Sequence, residues 1–539
     1  MTGETPVLHN LLTMTGETPV LHNLLTMTGE TPVLYNQQLK VKDMQSFQLY
    51  ERASTVPEKS YNRASWQAGY QSLKQEFDYW INDIEGQIPP ELHGTLFRNG
   101  PGLLEINGQR IHHPFDGDGM ISRVTFVDGR AHFSNRYVRT AAYLEEQKAG
   151  KILYRGVFGT QKPGGVLANA FDFRTKNIAN TNVIYWGGKL LALWEAADPH
   201  RLDPYSLETL GKEHLNGVLS EGEAFSAHPR FDPSCGDDGV PRLVNFSIKP
   251  GLSTTITIFE LNDKGEVVTK HPHSVPGFAF IHDFAITPNY CIFFQNSVTF
   301  NPLPFVLGVR GAGECIKFQP HQPTRIIIIS RNPKQKKVQI IETQSGFVFH
   351  HANAFEVGDE VVVDSICYES LPEVQPESDF REVDFDALQP GQLWRFNLNL
   401  KEETVQRTLL ESQCCEFPTM HPQKVGRPYR YLYMSVAHAN RGNAPLQAYL
   451  KIDLESGQRQ LWSAAPHGFV SEPIFVPRPG SESEDDGWVV GLVYNSTHHR
   501  SDVVILDAKD LERGAIAKLH LKHHVPYGLH GNFVSKCFL

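Results

Sequence analysis

Short apolar runs set the pattern of this chain. LVNFSIK (243–249), TTITIFEL (254–261), YCIFFQ (290–295), RIIIIS (325–330), EVVVDSICYE (360–369) and QLWRFNLNL (392–400) follow one another. RYLYMSVAH (430–438), AYLKIDL (448–454), GWVVGLVYN (487–495) and DVVILDA (502–508) continue the series. The runs are rich in Val, Ile, Tyr and Phe and are separated by Gly, Pro, Asp and Asn, the composition of strands joined by turns. YLKIDLESGQRQLW reads as a hairpin about an Asp/Gly-type turn. Few stretches carry a helical pattern; Ser65–Trp80 is one, with Trp66, Tyr70 and Leu73 at helical spacing. So many strands without cysteine staples predict an all-β propeller or multi-sheet barrel. No WD or kelch signature is present, so the pattern leaves the blade number open.

The N-terminal part is organised differently. MTGETPVLHNLLT occupies 1–13, recurs at 14–26, and returns as MTGETPVLYNQQL at 27–39. A period of 13 residues is too short for a solenoid unit, and the segment is expected to be a loosely ordered tail. Residues 40–85 read as a polar lead-in with a short helix, and residues 86–539 as the globular body. The acidic stretch GSESEDDG (480–487) reads as a solvated loop.

Composition narrows the setting. A net charge of −10 and a pI near 6.2 remove the basic footprint of a nucleic-acid binder. Seven cysteines, an odd number without a CxxC, point to free thiols in a reducing, cytoplasmic compartment. No apolar run approaches 18 residues, so neither a membrane span nor a secretory signal is expected.

The chemistry gathers at histidines. FVFHHANAFE (347–356) carries His350 and His351; because a strand alternates sides, at most one of them faces inward, and the alternation does not say which. SAHPRFD (226–232), FIHDFAI (280–286) and YGLHGN (527–532) each hold a further histidine at a strand-like segment or its edge. Four neutral imidazoles from distant strands suit a Zn, Cu, Ni or Fe(II) site. HExxH is missing, and Asp283 lies on the side opposite His282 if the segment is extended, which does not fit a two-histidine, one-carboxylate triad. An all-histidine set leaves the ion its full +2 charge and open positions, which suits an iron that meets O2 and an apolar substrate. Ligand rings need a carboxylate or carbonyl on their other nitrogen. Glu195 in LLALWEA, Glu416 in CCEFP and Glu472 in FVSEPIFVP stand in apolar contexts where an unpaired carboxylate is costly.

These segments, with FRNGPG (97–102), HPFDGDGM (113–120), NIANTN (177–182), LALWE (191–195), FAFIHDFAIT (278–287), DSICY (364–368), CCEFP (414–418), SEPIFVPRPG (471–480) and YGLHG (527–531), occur in an order that resembles the carotenoid cleavage oxygenases over roughly residues 60–533. The resemblance implies a seven-bladed β-propeller capped on one face by loops that enclose a tunnel. It implies one Fe(II) per chain on His228, His282, His350 and His530, with Glu195, Glu416 and Glu472 behind three of them and no glutamate behind His228. Thr181 matches a residue whose methyl crowds one open iron position, and Phe115, Trp194, Phe280, Phe349, Tyr368 and Phe417 are expected to line the tunnel. The activity implied is cleavage of the central 15,15′ double bond of an apocarotenal or apocarotenol by O2, giving retinal and a second aldehyde; a stilbene cleaver or a full-length carotenoid cleaver of the same family is the alternative. An apolar polyene resides in membrane, and KILYRGVFGTQKPGGVLANAFDFR (151–174), rich in apolar side chains with Lys151, Arg155 and Lys162 among them, is expected to make peripheral membrane contact.

Overall fold

The computed structural model describes residues 60–235, 239–251, 253–371 and 379–539. The repeats at 1–39 and the lead-in up to residue 59 lie outside the described residues. Seven sheets of four or more strands form the body, with two short ribbons beside them. Each is antiparallel throughout. Their inner strands are Asn182–Trp186, Arg230–Cys235, Ala285–Ile286, Phe347–Val357, Cys415–Thr419, the pair Gly468–Val470 and Ile474–Pro477, and Gly531–Val534. Gly531–Val534 touches both Asn182–Trp186 and Ile474–Pro477, and Phe347–Val357 touches both Ala285–Ile286 and Cys415–Thr419, so the seven sheets form a seven-bladed β-propeller.

Burial explains why the central strands were readable. Tyr290–Gln295 faces Thr324–Ser330 in register, with Phe293 opposite Ile327 and Ile292 opposite Ile328. Both faces of this blade are covered by its neighbours, so the strands are continuous apolar runs rather than alternating ones. The outer strand Val267–Pro276 does alternate, buried at one residue and exposed at the next. The ring closes by mixing the two ends of the chain. Gly531–Val534 pairs with Gly94–Leu103, and Ile84–Gly86 pairs with Ala515–His520.

Three expectations change. The helix expected over Ser65–Trp80 is only Arg63–Ala68, capped by Asn62. Trp66 within it packs on Phe385; beyond it, Tyr70 packs on Phe380 and Tyr527, the Leu73 N–H is donated to the Gly102 carbonyl, and Asp78–Trp80 joins a blade. Tertiary partners thus override the helical spacing. For the same reason the boundary expected at residue 86 falls inside the propeller, because Asp78–Trp80 and Ile84–Gly86 are blade strands. The acidic loop is clasped rather than free: Glu484 accepts the N–H groups of Arg430 and Tyr431, and Asp485 accepts from buried Lys451 at 2.8 Å.

Candidate metal centre

Each blade offers one residue near the head of its inner strand. In chain order these are Thr181, His228, His282, His350, Glu416, Glu472 and His530. One ring nitrogen from each of the four histidines lies within 4.8 Å of the other three. The His228 ring centroid is 4.3 Å from His282, 5.3 Å from His350 and 4.5 Å from His530. Nε2 of His228 and Nε2 of His282 are 2.9 Å apart.

The opposite nitrogens are held from behind. Nδ1 of His282 and Glu195 Oε2 are 2.5 Å apart, Nδ1 of His350 and Glu416 Oε2 are 2.5 Å apart, and Nδ1 of His530 and Glu472 Oε1 are 2.8 Å apart. With Nδ1 as the donor, Nε2 keeps its lone pair and points to the centre. His228 has no carboxylate partner among the described residues. The Nε2 atom of His350 is buried without a hydrogen-bond partner, a cost that a bound cation removes. Four inward lone pairs, three fixed tautomers and one orphaned nitrogen fit a divalent metal ion.

Burial is the largest influence on these groups. It pulls His228 well below the ordinary histidine value, and the neighbouring rings add to the effect. It also lowers His530, where Glu472 offsets only part. At His350 burial again pulls downward, but the carboxylates of Glu416, Asp283 and Glu472 together outweigh it and the net shift is upward. Burial alone would raise Glu416 and Glu472, but His350 with Tyr368, and His530 with Arg98, hold both below the usual glutamate range.

Backbone irregularity decides which side chains arrive. The ladder of Phe347–Val357 shifts register on both sides of His351. His350 turns to the centre, while the His351 ring goes to the Ser365 hydroxyl at 2.7 Å. Phe417 sits in the left-handed region at φ 56°. That departure lets Glu416 reach His350 while the adjacent Phe417 ring lies 5.6 Å from His350 and 5.4 Å from His530.

The other expected lining residues spread outward from this point. Phe349 is 5.8 Å from His282, Phe347 bridges Phe349 to Phe280, and Tyr368 stands edge-on to Phe349 at 5.7 Å. The Tyr368 hydroxyl donates to Glu416 at 2.7 Å, a role behind the histidine that sequence reasoning missed. Trp194 is buried against Ile178 and Ala197. The Thr181 carbonyl accepts the His530 N–H. Phe115 is half exposed, and its ring contacts among the described residues are His113 at 4.6 Å and Phe158 at 5.3 Å, neither of them a residue of the centre. Two arginines were also missed: Arg98 bonds Glu472 and the Leu529 carbonyl, and Arg230 bonds Asp283. Both stand in quoted segments, FRNGPG and SAHPRFD, but only the fold shows that they lie under the centre.

The segment 151–174 is partly inward. Arg155 is fully buried and donates to the carbonyls of Asn169, Asp172 and Arg310, so it is not a surface cation, and Ile152 is buried as well. Val166, Leu167 and Phe171 do face solvent, Leu167 with 96% exposure and Phe171 with 68%. The Phe171 N–H is donated to Val306, which sets this turn beside exposed Leu303, Leu307 and Val309. No helix among the described residues is long and apolar enough to cross a membrane.

Residues 70–535 match the family model of the retinal pigment epithelial membrane protein, RPE65. The chain is 57% identical to apocarotenoid-15,15′-oxygenase of Synechocystis sp. over 89% of its own length and 98% of that protein. It is 30% identical to lignostilbene-α,β-dioxygenase isozyme III of Sphingomonas paucimobilis, over 86% of this chain and 95% of that one. The crystal structure of cobalt-substituted Synechocystis apocarotenoid oxygenase superposes with a TM-score of 0.88, covering 89% of this chain and all of that one at 57% identity.

Proposed function

The chain belongs to the RPE65 and carotenoid oxygenase family, and from that premise we propose that it cleaves the 15,15′ double bond of apocarotenals and apocarotenols with O2, releasing retinal and a second aldehyde. The observation that carries this reading is the four-imidazole centre with three of its rings fixed by glutamates. His228, His282, His350 and His530 would hold one Fe(II), and Glu195, Glu416 and Glu472 would fix their tautomers. Iron supplies, when bound, the site at which dioxygen is activated.

The protein's own part is positional. No side chain at the centre needs to give or take a proton, because one O2 and one C=C carry all the atoms of two carbonyls. Phe349 and Phe417 pack against the histidines, and Phe280 and Trp194 extend the apolar surroundings. Flat aromatic walls grip a conjugated chain by contact and keep water out, so one bond is held in place while its neighbours are not. The experiment is iron analysis with product identification on the purified chain. About one iron per chain and retinal from β-apo-8′-carotenal are expected, and replacement of any one of the four histidines by Ala abolishes cleavage. Full activity of His350→Ala would refute the assignment.

A stilbene substrate would call for free phenol-binding groups. The Tyr368 hydroxyl is committed to Glu416, and Lys176 near Trp194 is committed to Asp118 at 2.7 Å and Glu146 at 2.6 Å. That favours the polyene. The apolar face of Val166, Leu167, Phe171, Leu303, Leu307 and Val309 is the surface by which the chain would touch lipid. Phe171 holds φ at 57°, a conformation costly for an aromatic residue, and the turn displays its ring to solvent.

A further inference from the structure

The four histidines hang from four blades, and their agreement in space depends on what joins those blades beneath them. Arg230 stands two residues beyond His228, Asp283 follows His282, and His351 follows His350. The Arg230 guanidinium donates from Nε to the Phe284 carbonyl at 2.8 Å, and from Nη2 to Asp283 Oδ2 at 2.5 Å and the His351 carbonyl at 2.9 Å. Asp283 in turn accepts the His351 N–H at 2.8 Å and the Phe284 N–H at 2.7 Å. His351 is the residue at which the strand breaks register. Both of its peptide groups therefore bond to this pair, in the stretch where the ladder is irregular.

We propose that Arg230 and Asp283 are positioning residues: together they hold the bulge that aims His350 and lock it to the segments that carry His228 and His282, and so set how tightly the centre holds its metal. The inference rests on the reading of the four histidines as a metal site. A buried ion pair gains little over an apolar pair of the same volume, so stability alone is a weak reason for this one. What the pair supplies is direction. One planar cation meets three acceptors on two segments, and one carboxylate meets two peptide donors and that cation. Lysine, with a single nitrogen on a flexible stem, does not reproduce that pattern. His530 lies outside this lock. It is held instead through Glu472, which bonds Arg98, and through the bond from the Asn99 N–H to the His530 carbonyl.

The same blade contains a control. Arg395 and the fully buried Asp364 form two bonds of 2.8 Å, and the Tyr429 hydroxyl joins them, but none of these groups bonds a residue next to a histidine of the centre. The experiment compares Asp283→Asn, Arg230→Lys, Arg230→Gln, the pair Arg230→Gln with Asp283→Asn, and Asp364→Asn in the full chain. Fe(II) and Co(II) affinity is measured by competition with a chelator, the Co(II) ligand-field spectrum is recorded, and the metal-free unfolding midpoint is taken. Asp283→Asn and Arg230→Lys are expected to lose at least about tenfold in affinity, the scale of losing an outer partner of a metal ligand, and to shift the Co(II) spectrum. The double variant is expected to be no weaker than the weaker of the two corresponding singles, because the two groups act as a unit. Asp364→Asn is expected to lower the unfolding midpoint with affinity and spectrum unchanged. Wild-type affinity and spectrum in Asp283→Asn and Arg230→Lys, or an equal loss in Asp364→Asn, would overturn the proposal. If Asp283→Asn does not fold, Arg230→Lys, which keeps the charge, decides by the same two readouts. A wild-type chain that binds neither ion refutes the metal centre itself and is thereby told apart from failure of the lock alone.

Discussion

A histidine offers a metal its lone pair only from the nitrogen that carries no proton. The bonds from Nδ1 of His282, His350 and His530 to glutamates therefore decide what the centre can hold. Glu416→Gln keeps the shape and leaves an amide oxygen to accept from Nδ1, but it removes the charge that strengthens the ring as a donor to metal. Iron retention or rate is expected to fall roughly ten- to a hundredfold, read by metal content and single-turnover rate, with comparable losses for Glu195→Gln and Glu472→Gln. Wild-type values in all three would show that the glutamates are bystanders. Tyr368→Phe removes one of the bonds that orient Glu416 and leaves the carboxylate in place, so a smaller loss is expected. These glutamates were legible in the sequence because a carboxylate in an apolar run needs a partner. Tyr368 was not, since an aromatic residue beside a histidine reads equally well as wall, and its hydroxyl partner lies 48 residues away.

At the scale of elements, continuous apolar runs such as RIIIIS announced blades that are covered on both faces, and their bounds agree closely with the observed strands. Irregular strands were not legible. Alternation could not choose between His350 and His351, because the choice is made by register shifts at the bulge. The consequence is testable: His351→Ala is expected to keep its metal, since that ring bonds Ser365 on the far side of the strand, and metal loss equal to that of His350→Ala would contradict the assignment. The short helix Gly165–Asn169 and the turn after it form the second testable element. Leu167→Asp with Phe171→Asp places two charges on residues with few packing partners, so unfolding should change little. Liposome co-sedimentation is expected to fall severalfold while turnover of detergent-solubilised substrate is retained. Undiminished lipid binding would move the contact elsewhere.

At the scale of the whole molecule, closure by Gly94–Leu103 with Gly531–Val534 and by Ile84–Gly86 with Ala515–His520 uses no residue from the repeats. Deletion of residues 1–39 is accordingly expected to leave the unfolding midpoint and turnover nearly unchanged; a large loss of solubility or membrane association would give the repeats a role. Similar chains are named for different substrates: the relatives include an apocarotenoid oxygenase and a lignostilbene dioxygenase. The histidines therefore do not choose the substrate, and the choice falls to the walls and the path leading to them. Phe280, Phe349 and Phe417 offer flat apolar surface, and the Tyr368 hydroxyl beside Phe349 is already bonded to Glu416. An apocarotenoid has one ring, so its slender oxygenated end can enter first or trail. A full carotenoid carries a bulky ring at each end and must thread one past the histidines. Equal concentrations of β-apo-8′-carotenal, β-carotene and a hydroxylated stilbene are expected to give retinal from the first and little product from the others. Preference for β-carotene would place the chain with the full-length carotenoid cleavers. Preference for the stilbene would mean that a phenol finds a donor or acceptor these walls lack. Several cut positions on one polyene would mean that the walls hold the chain without fixing its position along the slot.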